Sequence, residues 1–194
     1  MANCRFDPNG IDAAHAGILS TSSTVTFNSY VSDSVKIDIV GSGQIAGVDY
    51  DRLAIGGRAN YLNAVDLEVD LQSGLDLLND RLTILTFGLT SSNTCFHSVT
   101  FHGGYGDLAL SSSCVTLSRL AYDGDANRDG KVDGVDHQIV LSHWGTGTTW
   151  DQGNFKGYGV VGAEDEAIWQ ANVPEPTTLA ILAVGAVALR RRRR

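Results

Sequence analysis

Residues 125–136 place oxygen donors at the spacing a hard cation requires. Asp125, Asn127 and Asp129 stand at positions 1, 3 and 5 of a twelve-residue loop. Lys131 offers its main-chain carbonyl at position 7, Asp133 stands at position 9 and Asp136 closes the series at position 12. Carboxylate, amide and carbonyl oxygens in this order build a cage for a calcium-type ion, with Gly130 at position 6 permitting the sharp turn. The four carboxylates supply ample negative charge. Val132 at position 8 is apolar, as pairing with a second loop would require. The expectation is one Ca2+ site.

A second copy of the pattern follows downstream. Gly130, Val132, Asp136 and Ile139 recur, all at one constant offset, as Gly159, Val161, Asp165 and Ile168. The donors do not recur. Asn154, Lys156, Tyr158 and Gly162 occupy positions 1, 3, 5 and 9, and Lys156 would put a positive charge where the cation sits. Residues 154–165 are therefore expected to fold by packing, with Trp150, Phe155, Ile168 and Trp169 as core. The first loop is of the EF-hand type, and residues 121–173 resemble a dockerin module. Asp136 at position 12, the approach Tyr122-Asp123-Gly124 without a preceding helix, and the duplication carry that resemblance. It implies calcium binding, a short helix over Asp136–Trp144 and a cohesin-like partner. The damaged second loop and the shorter offset depart from the two-loop recognition of cohesins. A module of about 50 residues has little core, so the cation should supply much of its stability, while the strands upstream should owe nothing to the loop.

Other chemistry-bearing residues form weaker constellations. Cys95 and Cys114 flank a hairpin-like stretch; they either pair in an oxidising compartment, leaving Cys4 over, or remain thiols. With His97 and His102 they read Cys-x-His-x4-His-x11-Cys, which is no standard zinc spacing. The acidic column Asp66, Glu68 and Asp70 could hold a cation but reads first as a solvated strand face. Asp49 and Asp51 flank Tyr50 on one strand edge, whereas a glycosidase needs its carboxylates facing across the substrate. His15, His97, His102, His137 and His143 are scattered. No catalytic constellation emerges, and the chain is expected not to be an enzyme.

The elements that must position these residues are strands. Val35, Ile37 and Ile39 alternate with Lys36 and Asp38; Val65, Leu67, Val69 and Leu71 alternate with Asp66, Glu68 and Asp70. Leu82, Ile84 and Thr86, Val99 with Phe101, and Val115 with Leu117 repeat the period of two, which sends one set inward and the other to solvent. Gly41-Ser42-Gly43, Gly56-Gly57, Ser73-Gly74 and Gly103-Gly104 punctuate the run. No proline lies between Pro8 and Pro174, so strand donors are kept. The stretch from Gly47-Val48-Asp49-Tyr50-Asp51 through Leu82-Thr83-Ile84-Leu85-Thr86 resembles the closing segment of exported proteins with autotransporter-type β-strand repeats. That resemblance implies a β-solenoid end or a β-sandwich with a structural or adhesive role.

The chain ends in Val173-Pro174-Glu175-Pro176-Thr177, an apolar run to Leu189, and Arg190, Arg191, Arg192, Arg193 and Arg194. Clustered arginines resist crossing a membrane and should stay cytoplasmic, with the body outside. Thr177–Leu189 spans about 20 Å as a helix against a core of roughly 30 Å, a deficit that snorkelling and thinning can cover. The tail resembles a PEP-CTERM sorting signal, which implies an exosortase-type membrane peptidase as partner and a transient or anchored stay in the inner membrane. Without the five arginines, the 14 basic residues fall to 9 against 22 acidic ones, a balance of −13. So acidic a body argues against nucleic acid as a partner. The N-terminus lacks the apolar run of a secretory signal. Two resolutions stand: the sequence begins inside a longer exported protein, or it is a cytosolic protein with a C-terminal anchor.

The expected fold is thus mainly β: a body over residues 1–120, a small α EF-hand or dockerin-like module over 121–173, and a sorting segment with a hydrophobic helix over 174–194. The expected protein is exported and associated with the cell envelope, surface or extracellular matrix, in a structural or adhesive role. Two alternatives are the C-terminal fragment of a polysaccharide-degrading enzyme, and a carbohydrate- or ice-binding module. Extracellular polysaccharide is the expected partner beyond cohesin-like proteins and the peptidase.

Overall fold

A computed structural model describes residues 5–6, 16–27, 33–75, 81–90 and 96–174. The protein is mainly β, with two sheets followed by two short helices. Strands β1 (Arg5–Phe6), β4 (Asp33–Ile39), β6 (Val65–Leu71) and β8 (Ser98–His102) form a wholly parallel sheet in that order. The second sheet is mixed. In it β2 (Ile18–Thr21), β5 (Arg52–Asn60) and β7 (Arg81–Thr90) run parallel, and β3 (Val25–Thr26) also pairs with β5. Strand β10 (Cys114–Tyr122) lies antiparallel to β7 and to β9 (Gly104–Leu110).

The chain visits the two sheets in turn, with a regular step. Ser98 of β8 lies beside Asp66 of β6, 32 residues back along the chain. The same step sets Val35 beside Leu67 and Leu67 beside Val99. It recurs in the other sheet, where Leu53 lies beside Leu85. Each winding thus stacks like side chains on like, and Val35, Ile37, Val65, Leu67 and Val69 join Leu53, Leu82, Leu85, Val115 and Leu117 in one core cluster.

Strand β6 obeys the expected alternation fully. Strand β4 does not: Lys36 and Asp38, expected in solvent, are 9% and 1% exposed. Their burial is tolerated because Lys36 Nζ lies 2.7 Å from Asp38 and 2.9 Å from Asp70, satisfying charges that would otherwise be costly inside. Burial pulls the Lys36 ammonium down, but the bonds from Asp38 and Asp70 outweigh it and hold the group above its ordinary value. In β7 both Ile84 and Leu85 are buried, so the period slips there. The cause is a bulge against β10, where Val115 pairs with Leu85 and Thr116 with Thr83. Gly56-Gly57 does not end a strand as expected but lies inside β5. A Cβ on Gly57 would sit 2.5 Å from Thr24 N, so the pair lets the segment before β3 approach closely.

Helices α1 (Gly134–Ser142) and α2 (Ala163–Asn172) follow the strands. The first begins two residues before the expected Asp136. Asp133 caps it by accepting from Val135 N (2.8 Å), and Asp136 reaches back to Asp133 N (2.8 Å), a capping box that fixes the start. It also ends before Trp144, which is exposed rather than packed. Trp150, Phe155, Val140 and Val161 are buried together, with Ile168 and Trp169 against them. The same cluster takes in Ala121 of β10 and Tyr105 of β9, so the strands and the helical segment share side-chain contacts. The expected boundary at residue 120 falls within β10. Among the described residues no helix is long and apolar enough to cross a membrane. The expected helix over Thr177–Leu189 lies outside them, as do Glu175, Pro176 and Arg190–Arg194.

Candidate metal centre

Asp125 and Asp136 are fully buried, and they organise the loop through its own backbone. Asp136 Oδ1 accepts from Ala126 N (2.9 Å) and Asn127 N (3.2 Å), while Oδ2 accepts from Asp133 N. Asp125 accepts from Asp129 N (3.2 Å) and Gly130 N (2.9 Å). Asn127 Oδ1 accepts from Asp129 N (2.9 Å), and Asp129 Oδ1 from Lys131 N (3.0 Å). Gly130 takes φ +82, the left-handed turn expected at position 6. Two indoles brace the main chain: Trp150 Nε1 donates to Asp125 O (2.8 Å) and Trp169 Nε1 to Asp133 O (2.9 Å).

Burial is the main force on Asp125. It pushes the carboxyl up to about 6, aided by the charge of Asp136 and opposed by N–H groups of Gly130, Asp129 and Arg128. Burial likewise raises Asp136. Two buried carboxylates repelling each other are what a divalent cation would neutralise, and in that sense the residues present suit one. Asn127 Nδ2, by contrast, bonds Asp129 Oδ2 (3.0 Å). Among the described residues no three His, Cys, Asp or Glu side chains gather into a ready-made metal cluster.

The second loop repeats the bonds of the position-12 carboxylate. Asp165 Oδ1 accepts from Phe155 N (2.9 Å) and Lys156 N (3.2 Å), and Oδ2 from Gly162 N (2.9 Å). These are the partners of Asp136 displaced by the repeat offset. The two copies also meet: His137 Nε2 lies 3.0 Å from both carboxylate oxygens of Glu166, its own counterpart 29 residues on.

The sequence did not single out the contact between the first loop and the strands. Arg128, at position 4 with φ +59, turns its side chain inward. Its Nε donates to Asp151 Oδ1 (2.7 Å), its Nη1 to Arg119 O (2.6 Å), and its guanidinium lies 5.1 Å over the Tyr105 ring. Arg119 adds bonds to Asp107 (3.1 Å) and Asp151 (2.9 Å), and Tyr105 stacks on Trp150 at 4.8 Å. Nothing in the sequence marks Arg128 for this role, since position 4 carries no ligand requirement.

The weaker constellations are dispersed. Ser98 Oγ donates to Asp66 (2.6 Å), and His97 Nδ1 lies 2.8 Å from the same carboxylate; together they hold Asp66 below its ordinary range. His102 stands 3.9 Å from Asp70 at the far end of β8. Five residues of strand separate the two histidines by about 17 Å, too far for one metal. Cys114 Sγ lies 3.1 Å from Ser111 Oγ. Cys4, Cys95 and His15 lie outside the described residues, and the pairing of Cys95 with them. Asp51 is fully buried and accepts from Gly17 N (2.6 Å) and Asp38 N (3.0 Å), tying the segment before β2 to β4. Asp49 accepts from Ile45 N in the adjoining turn.

Residues 172–194 match the PEP-CTERM protein-sorting motif. The class this defines is an exported protein with a C-terminal sorting signal, held at the membrane until an exosortase processes it. No curated protein and no solved structure matches the chain.

Proposed function

We propose that this is a structural or adhesive protein of the cell envelope, built as a β-solenoid end followed by a dockerin-like module with one calcium. The regular winding through two sheets supports the solenoid. One observation carries the calcium reading: two loops share one backbone scaffold, yet only residues 125–136 keep carboxylates at positions 1, 5, 9 and 12. Asp125, Asn127, Asp129, the Lys131 carbonyl, Asp133 and Asp136 would hold the ion. Calcium would neutralise the buried pair Asp125 and Asp136 and fix the entry to α1, keeping the module rigid outside the cell. A cohesin-like protein or an extracellular polysaccharide would be its partner. Calorimetry on the full chain tests this. One calcium should bind, and binding should vanish in Asp125→Ala with Asp129→Ala. No binding at millimolar calcium, or two equivalent sites, would overturn it.

A further inference from the structure

The second loop has a cation of its own. Lys156 stands at position 3, where the first loop has Asn127. Its side chain does not turn to solvent; it is 12% exposed. The ammonium donates to Asp165 Oδ2 (3.0 Å) and to Val160 O (3.1 Å). Asp165 is the position-12 carboxylate and Val160 O the position-7 carbonyl, the two groups that in the first loop are the closing carboxylate and the main-chain ligand. Glu164 lies 3.5 Å away, and the Tyr158 ring stands 5.6 Å from the ammonium. The bond to Asp165, with that carboxylate's charge and the nearby Glu164, outweighs desolvation and holds the Lys156 ammonium above its ordinary value.

The rest of the loop is adjusted to a single positive charge. Position 1 is a neutral Asn154, 1% exposed, rather than an aspartate. It donates through Nδ2 to Gly159 O (3.1 Å) and accepts at Oδ1 from Gly157 N (3.0 Å). Inside the first loop two buried carboxylates face one another; inside the second one buried carboxylate faces one ammonium. Loss of the acids and gain of the lysine are thus one change. Gly157 and Gly159, at φ +74 and +64, let the backbone fold over the ammonium.

The geometry points to Lys156 as a covalently tethered substitute for the divalent cation. The second loop is a cation site filled from within, independent of metal supply. Its latent ligand class is a divalent cation, admitted once the ammonium is removed and acids stand at positions 3 and 5 beside Asp165. This deepens the one-calcium reading and rests on it for the identity of the ion replaced.

Two variants of the full chain test it. Lys156→Met keeps the length and removes the charge. Its melting temperature should fall equally in calcium and in chelator, because calcium has no access to that role in the wild-type loop. An unchanged melting temperature would overturn the proposal, as would a drop that calcium repairs. Lys156→Asp with Tyr158→Asp restores the acid at position 5 and adds one at position 3. Calorimetry should then raise the calcium stoichiometry from one to two; a folded double variant that gains no calcium would overturn the proposal. Should the double variant fail to fold even in calcium, Lys156→Met decides alone. A wild-type chain that binds no calcium would sink the calcium reading of the first loop, and the Lys156→Met result in chelator would still decide the tether.

Discussion

Replacing Arg128 by alanine should loosen the helical segment from the strands, and the structure sets the size of the effect. The lost bond to Asp151 is charge-assisted, but Asp151 is half exposed and keeps Arg119, so it is worth about 0.5–1 kcal/mol. The bond from Arg128 to Arg119 O joins a charged donor to a main-chain acceptor and contributes roughly 1–1.5 kcal/mol. The face of Tyr105 adds about 0.5–1 kcal/mol. Together the substitution should cost on the order of 3 kcal/mol, a fall of roughly 6–12 °C in melting temperature for a chain of this size. A control separates side chain from backbone. Arg128 sits at φ +59, a conformation that strains alanine as it strains arginine but not glycine. Arg128→Gly should therefore recover about 1 kcal/mol relative to Arg128→Ala. The assay is thermal unfolding of both variants at saturating calcium, with limited proteolysis reporting cleavage near Tyr122. A loss below about 0.5 kcal/mol for alanine, or a glycine variant less stable than alanine, would refute the clamp.

Two further outcomes follow from buried carboxylates. The folded-state value of Asp125, about 6, lies above its ordinary 3.8, so in calcium-free protein its contribution falls as pH rises through that window and stays unfavourable above it. Calcium needs the ionised form; its apparent affinity should thus drop by up to about tenfold per pH unit below 6. Titrations at pH 5 and 7.5 with equal affinities would contradict this. Asp51→Ala strands the buried N–H of Asp38 and the partly buried N–H of Gly17, and should cost about 3 kcal/mol in urea unfolding, with Asp51→Asn losing less because one acceptor oxygen remains. Stability within about 0.5 kcal/mol of wild type would mean that residues 16–17 are held by other contacts.

The strands were legible because alternation and burial are the same fact seen twice. Val65, Leu67, Val69 and Leu71 point inward and their acidic neighbours outward, so period two carries the sheet face directly. What failed were places where a second force overrides the period. Lys36 and Asp38 look like a solvent face until their pairing with each other and with Asp70 is known. Ile84 and Leu85 break step because β7 bulges against β10 there, leaving Ile84 the extra residue. The parallel winding was accessible only through a resemblance, which left a solenoid end and a sandwich both open. Its regular step repeats a pattern of burial rather than of residue identity, and turns of unequal composition mask it.

The loop pair shows the same limit more sharply. Its constant offset could be read from Gly130, Val132, Asp136 and Ile139 because those residues serve the backbone scaffold, which both copies share. Lys156 was visible only as a defect, a positive charge where a cation belongs. Identity alone cannot say whether a lysine at position 3 swings into solvent and leaves an empty cage, or folds inward. The decision belongs to Val160 O and Asp165 Oδ2, 4 and 9 residues downstream, which the closed loop brings within 3.1 and 3.0 Å of the ammonium. An inward ammonium and a neutral Asn154 turn the apparent damage into a balanced charge. On the one-calcium reading proposed above, the module would need metal in only one of its halves. His137 and Glu166, the equivalent residues of the two copies, join the half that calcium would order to the half that Lys156 holds.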